Sequence, residues 1–104
     1  MLIDRWLTRW SPNYAFLRGA LDEVGRELAR RPYEAMLQPG EEFSFTQMVR
    51  DVRVDFEVEV FRIDPGDRAL WVRVKARSRL PTPLDLKPAL VFRKLPDGRA
   101  YISR

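Results

Sequence analysis

Asp55, Glu57 and Glu59 occupy alternate positions in DVRVDFEVEVF, residues 51–61, so a strand there would carry three carboxylates on one face. Such a row has two chemical uses: oxygen ligation of a divalent cation, or a paired acid and base for glycoside cleavage. Cation cages draw ligands from several loops and close around the ion, and a hydrolytic pair needs a cleft. Nothing in the sequence indicates either, so a solvated face paired to arginines is the better expectation. The complementary set lies in LWVRVKARSR, residues 70–79, where Arg73, Lys75, Arg77 and Arg79 alternate beside Trp71. Cations interleaved with an aromatic side chain have the character of a single-stranded nucleic-acid platform.

Other chemistry is excluded by composition. The chain has no His and no Cys, which removes disulfides, thiolate chemistry, Cys-ligated zinc and imidazole relays within one chain. Ser11, Ser44, Ser78 and Ser103 therefore have no imidazole to activate them, and neither GxGxxG nor GxxxxGK[ST] occurs. Ser-Lys and carboxylate mechanisms survive in principle but nothing positions them, so the sequence assigns no catalytic residue, no metal ligand set and no cofactor, and an enzyme is the less favoured reading.

Two helices and a run of strands must position these side chains. Ile3, Trp6, Leu7 and Trp10 form one stripe of a short helix over residues 2–10. Trp6 and Trp10 beside Arg5 and Arg9 resemble an interfacial membrane anchor, but the helix is short and contains Asp4, so contact with another protein is favoured over a membrane surface. Ser11 is a good N-cap and Pro12 suits the first helical position, so a second helix starts there and the main helical region runs over 12–38. Its stripe is Tyr14, Leu17, Leu21, Val24 and Leu28, with Arg18, Asp22, Glu23, Arg26 and Arg30 largely opposite. Gly19 and Gly25 each cost about 1 kcal/mol relative to Ala inside a helix, which suggests a close approach to a sheet. Pro32 ends the regular run, with one further turn over Tyr33–Leu37 before Pro39-Gly40.

Residues 43–104 read as an antiparallel meander. Phe43, Phe45 and Gln47 alternate in a first strand, then Val52, Val54, Phe56, Val58 and Val60 in a long one. Asp64-Pro65-Gly66-Asp67 is a turn, since Pro presets φ and Gly accepts a positive one. Leu70, Val72, Val74 and Ala76 return. Pro81-Thr82-Pro83 breaks that strand, Ala89–Lys94 forms the next, Pro96-Asp97-Gly98 closes a hairpin with Gly98 left-handed, and Ala100–Ser103 ends the chain.

The charge contrast is steep. Residues 39–68 hold eight acidic and four basic side chains, residues 69–104 two acidic and nine basic. Asymmetry of this kind signals a nucleic-acid partner unless the two segments meet. In one hairpin register they do. Val58 faces Val74 and Val60 faces Val72 on the apolar side, while Glu59 meets Arg73, Glu57 meets Lys75, Asp55 meets Arg77 and Phe61 meets Trp71 on the other. Directly opposed pairs are each worth about 0.2–1 kcal/mol. Local neutralisation is thus the simpler account, and nucleic-acid binding is not favoured. Arg79, Lys87, Arg93, Lys94 and Arg99 are the candidates for a residual basic patch.

At 104 residues, 45% hydrophobic and 33% charged, the chain is expected to be one α+β domain over 1–104. No apolar run reaches the ~20 residues of a membrane span, and the N-terminus is not of secretory type, so a cytoplasmic setting is expected. The stretches VEVFRIDPGDRALWVRVKARSRLPTP and LVFRKLPDGRAYISR, following an N-terminal helix, resemble the C-terminal sheet of small cystatin-like and NTF2-like proteins. The resemblance covers about half of the chain. It implies helices packed on the concave face of a curved antiparallel sheet of four or five strands, with a helix–sheet cavity and no particular reaction. The expected core includes Leu17, Leu21, Val24, Leu28, Val54, Phe56, Val58, Val72, Val74 and Phe92. A core this thin offsets chain entropy narrowly, so self-association is expected, most simply a homodimer, with Trp6, Trp10, Phe61, Trp71 and Tyr101 as interface candidates. The leading function is a non-catalytic interaction or assembly domain; the alternatives are a small-ligand binder or minor enzyme using the cavity, and nucleic-acid binding through the C-terminal basic residues.

Overall fold

Strict alternation in the C-terminal two thirds and a 3.6-residue stripe before it produce two helices on one face of a five-stranded sheet. The computed structural model describes residues 2–35, 42–63, 66 and 68–103. Asp64, Pro65 and Asp67 of the expected turn, Met36 and Leu37, Pro39-Gly40 and the side chain of Ile3 lie outside the described residues. Helix α1 spans Leu2–Trp10 and α2 spans Pro12–Arg30, followed by a single 3-10 turn at Tyr33–Ala35. The strands are β1 (Glu42–Val49), β2 (Val52–Phe61), β3 (Leu70–Arg77), β4 (Ala89–Lys94) and β5 (Ala100–Ser103), hydrogen-bonded in that order and antiparallel throughout.

Local chemistry accounts for the boundaries. The Ser11 hydroxyl accepts from the Tyr14 backbone N–H at 3.2 Å, with Pro12 opening α2. The regular helix stops at Arg30, because Arg31, preceding Pro32, is extended (φ −64°, ψ 146°). Arg50 and Asp51 have φ of 48° and 66°, a type I′ pair joining β1 to β2. Gly98, at φ 95°, closes the β4–β5 hairpin, where the Leu95 N–H donates to Arg99 O at 2.9 Å.

All ten expected core residues are buried between α2 and the sheet, joined by Ala20, Val60, Leu70, Ala76 and Leu90. Two expectations, for Arg18 and Gly19, need correction. Arg18 is buried rather than solvent-facing. Its guanidinium donates to the Ala89 carbonyl at 2.6 Å and lies 3.6 Å from Asp22, so its charge is balanced within the protein. In α1 only Leu7 of the described stripe enters the interior; Trp6 and Trp10 are 57% and 64% exposed. Gly25 does mark a close approach, since a Cβ there would fall 2.5 Å from Leu90 Cδ2, whereas nothing lies within 4 Å of one at Gly19.

The helix is therefore pinned along β4. Arg18 reaches Ala89, Gly25 abuts Leu90, and the Lys94 ammonium donates to Ala29 O and Gly98 O, both at 2.7 Å. Eleven helical residues and five strand residues each span about 16 Å, so the two ends match. Lys94 is 2% exposed and takes up one of the last carbonyls of α2, as a cation at a helix C-terminus should.

Candidate functional site

The side chains with chemistry gather on the sheet face opposite α2. The β2–β3 register is the expected one, with Asp55 opposite Arg77, Glu57 opposite Lys75, Glu59 opposite Arg73 and Phe61 opposite Trp71. Arg73 donates to Glu59 at 2.6 Å. Arg77 reaches diagonally to Glu57 at 3.5 Å rather than across to Asp55. Asp55 instead accepts from the Thr46 hydroxyl at 2.6 Å, with the Arg53 guanidinium 3.5 Å away. The Thr46 hydrogen bond holds the Asp55 carboxyl below its ordinary value against the opposing effect of burial, with Arg53 and then Arg77 adding to the lowering. The Arg73–Glu59 and Arg77–Glu57 pairs are half open to water and worth about 0–1 kcal/mol each. Together they line a trough of about 730 Å³ that includes Glu42, Ser44, Thr46, Glu57, Lys75 and Arg77. The trough is neutralised by its own walls. Among the described residues no three potential metal ligands gather, and Asp55, Glu57 and Glu59 are each engaged by Thr46 or an arginine.

Beyond the trough, one cross-strand row joins Phe61, Trp71, Arg93 and Tyr101 over β2–β5. The Arg93 guanidinium lies 5.8 Å from the centre of the Tyr101 ring. Its Nε is buried with no hydrogen-bond acceptor among the described residues. Three of the five interface candidates thus fall together; Trp6 and Trp10 lie apart on α1, where Arg9 stacks 5.5 Å over the Trp10 ring.

The basic-patch candidates do not converge. Arg93 and Lys94 are successive strand residues and point to opposite faces, and Lys94 never reaches the surface. Arg99 pairs with Asp97 at 2.7 Å and Lys87 with Asp85 at 3.5 Å. Asp97 is held below the ordinary carboxylate value by the Arg99 backbone N–H and then its side chain, and that ion pair raises Arg99. Arg79 is exposed.

Two features escaped the sequence. Phe43 and Phe45, stacked at 5.9 Å, are only half buried, because α2 sits over β3 and β4; an open cleft of about 220 Å³ separates them from Val24, Leu28 and Arg31. Leu84, 90% exposed, is held with φ of 55° after Pro83. The crowded prolines of PTPLDLKP were the available signal for Leu84, while nothing in the strand pattern told how far the helix would reach.

What fold and face define together is a class: an α+β protein with two helices packed against an open five-stranded antiparallel sheet. No described helix is long and apolar enough to cross a membrane. No protein-family profile matches the chain, and no curated protein or solved structure matches it at a significant level.

Proposed function

We propose that this chain is a non-catalytic protein-interaction or assembly domain of cystatin-like/NTF2-like arrangement that self-associates. The row Phe61–Trp71–Arg93–Tyr101 carries this reading. Trp, Tyr and Arg are the residue types that dominate interface energetics. Here they share one row of an otherwise charged face, with Tyr101 half exposed and an arginine N–H buried beside it without an acceptor among the described residues. A docked surface supplying a carbonyl or carboxylate would satisfy that donor. Sedimentation tests the proposal: association in the micromolar range that weakens on Trp71→Ala supports it, and a monomer at high micromolar concentration refutes it.

The cleft between α2 and β1 favours a second reading, a small-ligand binder. Its 220 Å³ is several times the volume of a water molecule, and Glu27, Arg31 and Gln47 line it. Those three are exposed at the rim, and the volume falls below the roughly 300–1,000 Å³ of drug-sized sites. A fragment screen that shifts the Phe45 and Leu28 resonances together, and not those of Trp71, would promote this reading over the first.

A further inference from the structure

The two edges of the sheet are unequal. Natural sheets blunt their edges with short strands, Lys or Pro, bulges, or a covering element. β5 is four residues long. β1 is eight residues long, reads EFSFTQMV without a basic residue or a proline, and pairs with β2 without a bulge from Val49↔Val52 to Glu42↔Glu59. Met48 on it is exposed, and α2 stops short of Phe43 and Phe45.

We infer that β1 pairs antiparallel with β1 of a second copy, about a two-fold axis at Thr46. A type I′ turn closes on a hydrogen-bonded pair, here Val49 and Val52. Alternation from that pair turns the N–H and C=O groups of Ser44, Thr46 and Met48 toward the edge that no described strand pairs with. Self-pairing centred on Thr46 sets Ser44 against Met48, so outward-facing backbone meets outward-facing backbone. On the α2 side, Phe43 meets Val49 and Phe45 meets Gln47, which brings two half-covered phenylalanine pairs together. At each end Glu42 arrives opposite Arg50 of the other copy, and nowhere do like charges oppose. A slip of one residue destroys both the backbone match and the facial match. This charge complementarity singles out a second copy over an unrelated extended peptide.

The inference rests on the self-association proposed above and adds a contact distinct from the aromatic row. Because the chain contains no cysteine, a single introduced thiol reports on one position. In the full chain under mild oxidation, Thr46→Cys crosslinks to itself, since the two residues of a hydrogen-bonded pair lie about 5.5 Å apart between Cα atoms, within disulfide range. Ser44→Cys and Met48→Cys do not self-crosslink, their copies being about 13 Å apart, but mixing the two yields the mixed dimer. Thr46→Pro, tolerated where an N–H faces away from the sheet, lowers the sedimenting mass. Adding Trp71→Ala leaves the Thr46→Cys crosslink in place. Wild-type association with no preferential crosslinking of Thr46→Cys overturns the edge contact alone. A wild type that stays monomeric overturns the self-association reading with it.

Discussion

β4 and β1 flank the same central strands and carry similar apolar alternation, yet their fates differ. Leu90 and Phe92 of β4 lie fully under α2, whereas Phe43 and Phe45 of β1 are half open. Apolar patterning does not distinguish them; three less conspicuous contacts do. Arg18 ties the helix to the Ala89 carbonyl, Gly25 lets it close on Leu90, and Lys94 reaches back to Ala29. The hydrophobic stripe drives the helix onto the sheet without choosing the strand, because burial free energy is non-directional. Hydrogen bonds and one missing side chain make the choice. The strand left over becomes the open edge.

Substitution can break this comparison at several strengths. Phe92→Ala removes a fully buried ring and should cost about 3–5 kcal/mol, while Phe45→Ala, beside the cleft, should cost about 1–2 kcal/mol, both by chemical denaturation. Equal losses would mean that β1 is as well covered as β4. Next comes Lys94→Ala, which orphans the Ala29 and Gly98 carbonyls and empties space under the helix, at about 2–4 kcal/mol. If Lys94→Met restored full stability, the stem rather than the ammonium would anchor α2. The two helical glycines sharpen the point by sign. Gly19→Ala should stabilise by about 1 kcal/mol. Gly25→Ala should destabilise, because forcing a methyl into Leu90 costs about 1–3 kcal/mol and outweighs the same gain.

The smallest effect is electrostatic and lies at the junction of β1 and β2. Thr46→Val deletes the hydrogen bond that lowers the Asp55 carboxyl, so its titration, followed by carboxyl NMR, should move up toward the ordinary value. A carboxylate held low in the folded state contributes stability that is present above its unfolded value, about 4, and lost as pH falls through the folded one. Asp55 and Asp97 both act in this sense, so stability should decline on acidification below about pH 4. Thr46→Val should flatten that decline slightly.

How much of this could be read in advance depended on whether the signal was local. The β2–β3 register followed from charge and aromatic matching across one turn, and the Ser11 cap and the Gly98 hairpin from single residues. Lys94 was also legible, since alternation from Leu90 and Phe92 turns it inward, but its charge argued for the surface. Arg18 sits at the margin of the α2 stripe, and only a carbonyl at the start of β4, distant in sequence, makes it a buried residue. The exposure of Trp6 and Trp10, and the bareness of β1, depend on where helices sit relative to strands, which periodicity along the chain does not encode.

The most direct test of the bare edge is amide hydrogen exchange along β1 at low and high protein concentration. The N–H groups of Phe43, Phe45, Gln47 and Val49, paired to β2, should be protected at both. Those of Ser44, Thr46 and Met48 should exchange freely when dilute and slow together when concentrated. Protection of these three in the dilute monomer would show the edge already covered, and free exchange at every concentration would show that no second strand arrives.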